Sequence, residues 1–173
     1  GYSTANPPPP INIWANREGQ NAALATAIAA MLERAGLPTR LVLSSWDLFH
    51  QSLENCRAAP GKCDYQVFLA GWLMDTGDPA RFLSTALGTQ PATGYTGWQS
   101  ADYQALLAQA AATADAPGRG DRYRRAEGML LDQAVVIPLI YYDRLVLLKP
   151  GVGAEYPLFG LPHLRYWRLA AAP

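Results

Sequence analysis

YQVFLAGWLMDTGDP, Tyr65 to Pro79, is the stretch whose reading decides the fold of this chain. Its first part, Tyr65 to Met74, carries no charge, no proline and a single glycine. A run of that content reads as a strand buried on both faces, the kind found at the centre of an α/β sheet. It then breaks off into Trp72, Asp75, Gly77, Asp78 and Pro79. A large aromatic and a carboxylate at the carboxyl end of such a strand stand where open α/β sheets bind ligands. Asp78 followed by Pro79 is a helix cap and a preset first helical residue, so a helical turn or two is expected over Pro79 to Leu87.

Upstream, Ile11 to Ala15 reads as a short strand and Asn16 to Gly19 as a polar turn. From Gln20 to Ala35 the apolar residues Leu24, Ala27, Ile28, Met31, Leu32 and Ala35 recur at helical spacing, which predicts a helix with one buried stripe. Gly36 supplies its stop and Pro38 blocks continuation. Thr39 to Leu43 is the next strand. Strand, helix and strand over about 30 residues make a βαβ unit with parallel strands. Ser45 is placed to cap a short helix through about Leu53 that carries Trp46, Leu48 and Phe49.

Downstream, residues 88 to 97 read as loop. Ser100 is placed to cap a helix through Ala114 with Tyr103, Leu106, Leu107, Ala110 and Ala114 inward. Ala116 to Gly120 reads as a break, and Asp121 to Gln133 as a helix burying Tyr123, Ala126 and Leu130. Val135 to Tyr142 and Arg144 to Lys149 are strand-like, Pro150 to Pro157 is loop, and Leu158 to Leu169 is an irregular tail. No internal repeat occurs.

At 173 residues, half of them hydrophobic, the chain has the material for one domain or one lobe of a larger protein. Its 14 basic and 14 acidic residues cancel, so no cationic surplus exists to displace counterions from nucleic acid. No apolar run reaches the ~20 residues of a membrane span. The opening GYSTANPPPP lacks the charged and apolar regions of a signal peptide. It reads as the end of a processed or longer chain, with Pro7 to Pro10 as a linker.

The two cysteines, Cys56 and Cys63, bracket a turn at Pro60-Gly61. Three readings stay open: a disulfide, which implies an oxidising compartment, two free thiols in a surface loop, or a metal site with His50, for which a fourth ligand is lacking. No G-x-S-x-G, Walker, G-x-G-x-x-G or H-E-x-x-H motif occurs. His50 and His163 lie far apart without a nucleophile beside either. Asp75 and Asp78 form a conceivable acid/base pair, but Asp78 is better explained as a helix cap. The expectation is a protein that is not an enzyme and carries no cofactor or resident metal.

At this point a resemblance carries the reading further. INIWANREGQNAALATAIAAMLERAGLPTRL, the segment CDYQVFLAGWLMDTGDPARFLSTAL, and DYQALLAQAAATADAPGRGDRYRRAEGMLLDQAVVIPLIYY are together similar to the larger ligand-binding lobe of extracellular solute-binding proteins of the dipeptide and oligopeptide transport family, family 5. The resemblance covers roughly residues 11–169, and Trp46 stands in the family's aromatic turn. It implies an α/β fold, a mixed sheet with flanking helices, forming one lobe of a two-lobed, type II-like periplasmic binding protein. Residues 1–10 would be linker, 11–155 the lobe, and 156–173 a tail returning toward a first lobe that the family encodes ahead of this region.

The resemblance also implies a site. The family's peptide-ammonium carboxylate falls on Asp75 and its pocket tryptophan on Trp72, with Gly71, Leu73 and Met74 beside them. An ammonium taken out of water requires such a fixed partner, and an aromatic plate holds varied side chains without selecting one. The alternatives from the residues themselves are Trp72 as core and Asp75 as a turn cap before Pro79. Two positions depart from the pattern. Leu69 stands where oligopeptide-binding members carry an arginine for the peptide carboxylate, and Gln104 stands in place of an aspartate. The implied function is the substrate-binding component of an ABC importer for peptides or a related small solute, periplasmic or extracellular, monomeric, and partnered by a membrane permease. The alternative is a related sensor or regulatory domain presenting the same lobe to a partner protein.

Overall fold

The computed structural model describes the chain apart from residues 1, 4, 5, 60, 73–76, 87–93, 143, 144, 157–166 and 170–173. The described residues form two compact units. The first runs up to Trp72 and includes Ser84–Ser100; the second takes the residues from Gly77 to Leu83 and those from Ala101 onward.

The first unit is built on a three-stranded parallel sheet. β1 (Ile11–Asn16) pairs with β2 (Thr39–Ser44) in the register Ile13 to Leu41, and on its other side with β3 (Val67–Leu69) in the register Ile13 to Val67. The order is therefore β2-β1-β3, and the parallel strands of the predicted βαβ unit are present. The expectation of a central strand in the Tyr65 run is corrected, because among the described residues β1 lies at the centre. β3 is three residues long and exposes Val67. Apolar composition does not distinguish a central strand from an edge whose side chains are covered by helices. The Gln66 side chain extends this edge: Asn12 N–H donates to Gln66 Oε1 at 2.8 Å, and Gln66 N–H donates to the Asn12 carbonyl at 3.1 Å.

Between β1 and β2 lies α1 (Asn21–Arg34). Gly36 closes it as expected, at φ +84°, with Gly36 N–H donating to the Glu33 carbonyl and Leu37 N–H to that of Leu32. This is a Schellman closure, which glycine adopts at little cost. The buried face differs from the expected stripe: Ala25 and Ala29 are buried, whereas Met31 is exposed and Ala27 faces solvent. Leu24, Ile28 and Leu32 of that stripe are half-buried beside the two alanines.

α2 (Trp46–Ala58) runs past the expected end at Leu53 and carries Cys56 in its last turns. Cys56 is bonded to Cys63, with Cα atoms 4.6 Å apart and a sequence separation of 7. This settles the three readings in favour of the disulfide. A bridge over so short a loop stabilises by roughly 2–3 kcal/mol in the chain-entropy model. Of the expected turn, Pro60 lies outside the described residues, while Gly61 takes φ +93°. The sulfur pair closes a core cluster of Phe49, Leu53, Cys56 and Tyr65, against which Trp14, Cys63, Phe68 and Tyr95 pack.

In the second unit Asp78 caps as expected, its Oδ1 accepting from Ala80 N–H at 2.9 Å ahead of α3 (Pro79–Arg81); a single wider π-type turn, Phe82–Ala86, follows and passes into the first unit at Ser84. α4 (Ala101–Ala111) buries Tyr103, Leu106, Leu107 and Ala110; Ala114 lies beyond its end and is exposed. α5 (Ala116–Asp132) packs against α4 and buries Tyr123, Ala126 and Leu130. It begins where a break was expected. Asp115 Oδ2 accepts from Gly118 N–H at 2.7 Å and Pro117 sits in the first turn, so the proline starts the helix instead of stopping one. Val135–Tyr142 and 144–149 form no strand among the described residues, and Ile137, Tyr141, Leu145 and Leu147 are exposed. β4 (Val152–Gly153) and β5 (Arg168–Leu169) make a short antiparallel pair. Among the described residues no helix is long and apolar enough to cross a membrane.

Candidate functional site

All three parallel strands of the first unit end at the same edge, and their order reverses at β1. The chain leaves β1 for β2 on one side and returns to β3 on the other. A crevice outside the carboxyl ends of strands at such a reversal is the general ligand position of open α/β sheets. Asn16, Ser44 and the run Leu69-Ala70-Gly71-Trp72 form this edge.

The turn after β1 is held by its own polar groups. The buried Asn16 accepts at Oδ1 from Asn21 Nδ2 at 2.7 Å and from Glu18 N–H at 3.3 Å. Arg17 N–H donates to the Ser44 carbonyl at 2.9 Å, and Ser44 Oγ is buried with no hydrogen-bond partner among the described residues. Ser45 precedes α2 as expected but makes no side-chain cap. Glu18 Oε1 accepts from Trp46 N–H at 3.2 Å and takes that place. A carboxylate at a helix N-terminus meets both the unpaired donors and the positive end of the macrodipole. Sequence reading passed over Glu18 because a cap is sought next to its helix, and this one comes from 28 residues upstream.

Of the predicted site residues, Gly71 and Trp72 are described. Both are exposed, and Trp72 keeps 51% of its surface open. The reading of Trp72 as core is corrected: it lies three residues past the end of β3 and keeps half its surface exposed. Leu73, Met74 and Asp75 lie outside the described residues, as does His163. Trp46, at the amino end of α2 after β2, is 49% exposed and is a second tryptophan at this edge.

Beside the sheet a polar cluster surrounds Glu54. Tyr95 Oη donates to Glu54 Oε1 at 2.7 Å, Arg57 pairs with the other carboxylate oxygen, and His50 Nε2 lies 3.8 Å from Oε1. The Tyr95 hydrogen bond is the main force lowering the Glu54 carboxyl below its usual range, with Arg57 adding to it against the opposing effect of burial. Burial, then Glu54, pushes the Tyr95 phenol up, and burial pushes Tyr65 up to about 12. Among the described residues no group of three or more His, Cys, Asp or Glu side chains is placed to hold a metal ion.

No protein-family model matches the chain. Over 165 residues it is 28% identical to the oligopeptide-binding protein OppA of Bacillus subtilis (strain 168), covering 90% of this chain and 29% of OppA. The dipeptide-binding protein DppE of the same organism is 29% identical over 140 residues, covering 80% of this chain and 24% of DppE. The chain is a homologue of the dipeptide- and oligopeptide-binding proteins.

This homologue spans less than a third of the length of those relatives. Its fold is that of part of a two-lobed periplasmic binding protein. The structure of the dipeptide-binding protein from Pseudoalteromonas sp. SM9913 in complex with Met-Leu superposes with a TM-score of 0.72 at 24% identity, over 92% of this chain and 32% of the other.

Proposed function

We propose that this chain is one lobe of the substrate-binding component of an ABC importer, taking up peptides or a related small solute between two lobes. Residues 11–155 would constitute the lobe, with 1–10 as linker and 156–173 returning toward the other lobe. The observation that carries the reading is the match to oligopeptide-binding OppA of Bacillus subtilis, which covers 90% of the chain. The exposed Trp72 beyond β3, at the strand reversal, supports it.

In this reading Asp75 anchors the ligand's ammonium, Trp72 forms a side-chain pocket wall, and Gly71, Leu73 and Met74 line the approach. Leu69 cannot pair with a peptide carboxylate, so that end of the ligand would be held elsewhere. The protein works in the periplasm or outside the cell, as a monomer handing its solute to a membrane permease, with no cofactor, nucleic acid or turnover. The disulfide fits such a compartment.

Calorimetric titration of a peptide panel into the full-length protein tests this. Removing one partner of a desolvated ion pair costs about 3–5 kcal/mol, so Asp75→Ala should weaken binding by roughly 10²–10³-fold or more. Unchanged affinity would sink the anchor, and a wild-type protein that binds no peptide would sink the substrate class.

A further inference from the structure

We infer that the Cys56–Cys63 disulfide is a redox-sensitive latch on the Tyr95 segment: closed, it holds together the two pieces of chain that grip Tyr95, and reduced, it lets that residue go.

The grip has two jaws. One is α2, whose Glu54 accepts the Tyr95 hydroxyl at 2.7 Å and whose His50 ring meets the Tyr95 ring edge-on, centroids 6.4 Å apart. The other is the run into β3, where the buried Tyr65 donates its hydroxyl to the Tyr95 carbonyl at 3.2 Å. Tyr95 is thus held at both its side chain and its backbone, by residues 41 and 30 positions away. Glu54 lies two residues before Cys56, and Tyr65 two residues after Cys63. The sulfur bridge therefore joins the jaws almost at the grip.

Among the described residues no backbone hydrogen bond joins α2 to Tyr65. Among the described residues between α2 and Gln66, the backbone ties are Ala59 N–H to the Asn55 carbonyl and Lys62 N–H to the Ala59 carbonyl. Both close the helix end and neither reaches Tyr65. The jaws share one apolar cluster, of which Cys56 is a buried member and Cys63 a flanking one. Opening the bridge puts two thiols where one bonded pair had packed, and it removes the covalent tie between residues 61–65 and α2. Tyr95 spans the two jaws through one hydrogen bond to each, so a shift of either jaw stretches one of the two. The chemistry is an exchange with a dithiol: the S–S bond breaks, two electrons and two protons pass to Cys56 and Cys63 as thiols, and the dithiol closes to its own cyclic disulfide.

Carbon NMR of the full-length protein with ring-labelled tyrosine tests the latch, with the Tyr95 signal assigned by its loss in Tyr95→Phe. On adding dithiothreitol until two thiols titrate, the Tyr95 signal should move to the position of an exposed tyrosine while Tyr103 and Tyr123 stay in place, and reoxidation should restore it. A Tyr95 signal that stays put after both thiols have titrated overturns the latch. Movement of Tyr103 and Tyr123 along with it also overturns it, since the bridge would then be a general staple of the fold. Glu54→Gln separates the contributions without touching the cysteines. The oxidised variant should shift Tyr95 part of the way, with reduction completing the shift; a Tyr95 signal already at the exposed position in the oxidised variant would assign the hold to Glu54 alone.

Discussion

The hydroxyl of Tyr95 donates to Glu54 across 41 residues of sequence, and the same carboxylate carries the Arg57 ion pair on its other oxygen. Tyr95→Phe removes the donor and keeps the ring. The loss should be about 1.5–3 kcal/mol, the range for a hydrogen bond to a charged acceptor, read as a lower urea midpoint at unchanged slope. The pH dependence has two sides. Glu54 is lowered from 4.5 in the folded state, so its contribution is present above that value and fades as pH falls through the folded pKa. Tyr95 is raised from 10.0, so its contribution is present below 10 and fades as pH rises beyond it. In Tyr95→Phe both flanks of the stability profile should flatten; an unchanged acid flank would show that Arg57 and His50, without Tyr95, lower Glu54.

Tyr103 is wholly buried, and its hydroxyl donates to the Leu83 carbonyl at 2.9 Å. Tyr103→Phe leaves that carbonyl without this partner, and the desolvation cost of an unpaired buried acceptor is about 1–3 kcal/mol. Burial pushes the Tyr103 phenol up to about 12. Its neutral form is thus favoured by folding, and the wild type should lose stability between pH 10 and 12 more steeply than the variant. Thermal denaturation across that interval measures it.

Ala134 ends α5 at φ +51°, with Ala134 N–H donating to the Leu131 carbonyl and Val135 N–H to that of Leu130. This is the closure that Gly36 makes for α1, built here with a side chain in the left-handed region. That conformation costs a non-glycine residue roughly 1–2 kcal/mol, and glycine gives back some of it in unfolded-chain entropy. Ala134→Gly should therefore stabilise by about 0.5–1 kcal/mol. A lower melting temperature in the variant would contradict the assignment.

Ala29 lies on the buried face of α1 and is 7% exposed. Ala29→Leu should destabilise by about 1–3 kcal/mol through overpacking, whereas Met31→Ala on the exposed side should change stability by less than about 0.5 kcal/mol. A sequence-based stripe through Met31 gives the opposite order, so the pair of denaturation curves decides between the two faces.

Features governed by neighbouring residues were legible in the sequence. The strand-helix-strand unit followed from hydrophobic spacing and from Gly36, the Asp78 cap from the proline after it, and the inward faces of α4 and α5 from Tyr103, Leu106, Leu107, Tyr123, Ala126 and Leu130. The start of α5 was misread because Pro117 signals either a stop or a first turn, and Asp115 resolves it only through its hydrogen bond to Gly118. Of the candidate site, the sequence pointed to Trp72 at the end of a strand but did not show Glu18 capping α2 or Trp46 standing exposed at the same edge.

By itself, then, the sequence determined the first strand-helix-strand unit, that its two strands run parallel, the inward faces of α4 and α5, and that an aromatic follows the third strand. These depend on periodicity, turn chemistry and chain reversal within some 30 residues. Only the tertiary structure decided that β1 and not the YQVFLAGWLM run lies central among the described strands, that α1 turns its alanines inward, and that Glu54, Tyr65 and Tyr95 meet beside a closed disulfide. Each of those outcomes depends on which surfaces fit at close range and on partners tens of residues apart, and no local propensity encodes either.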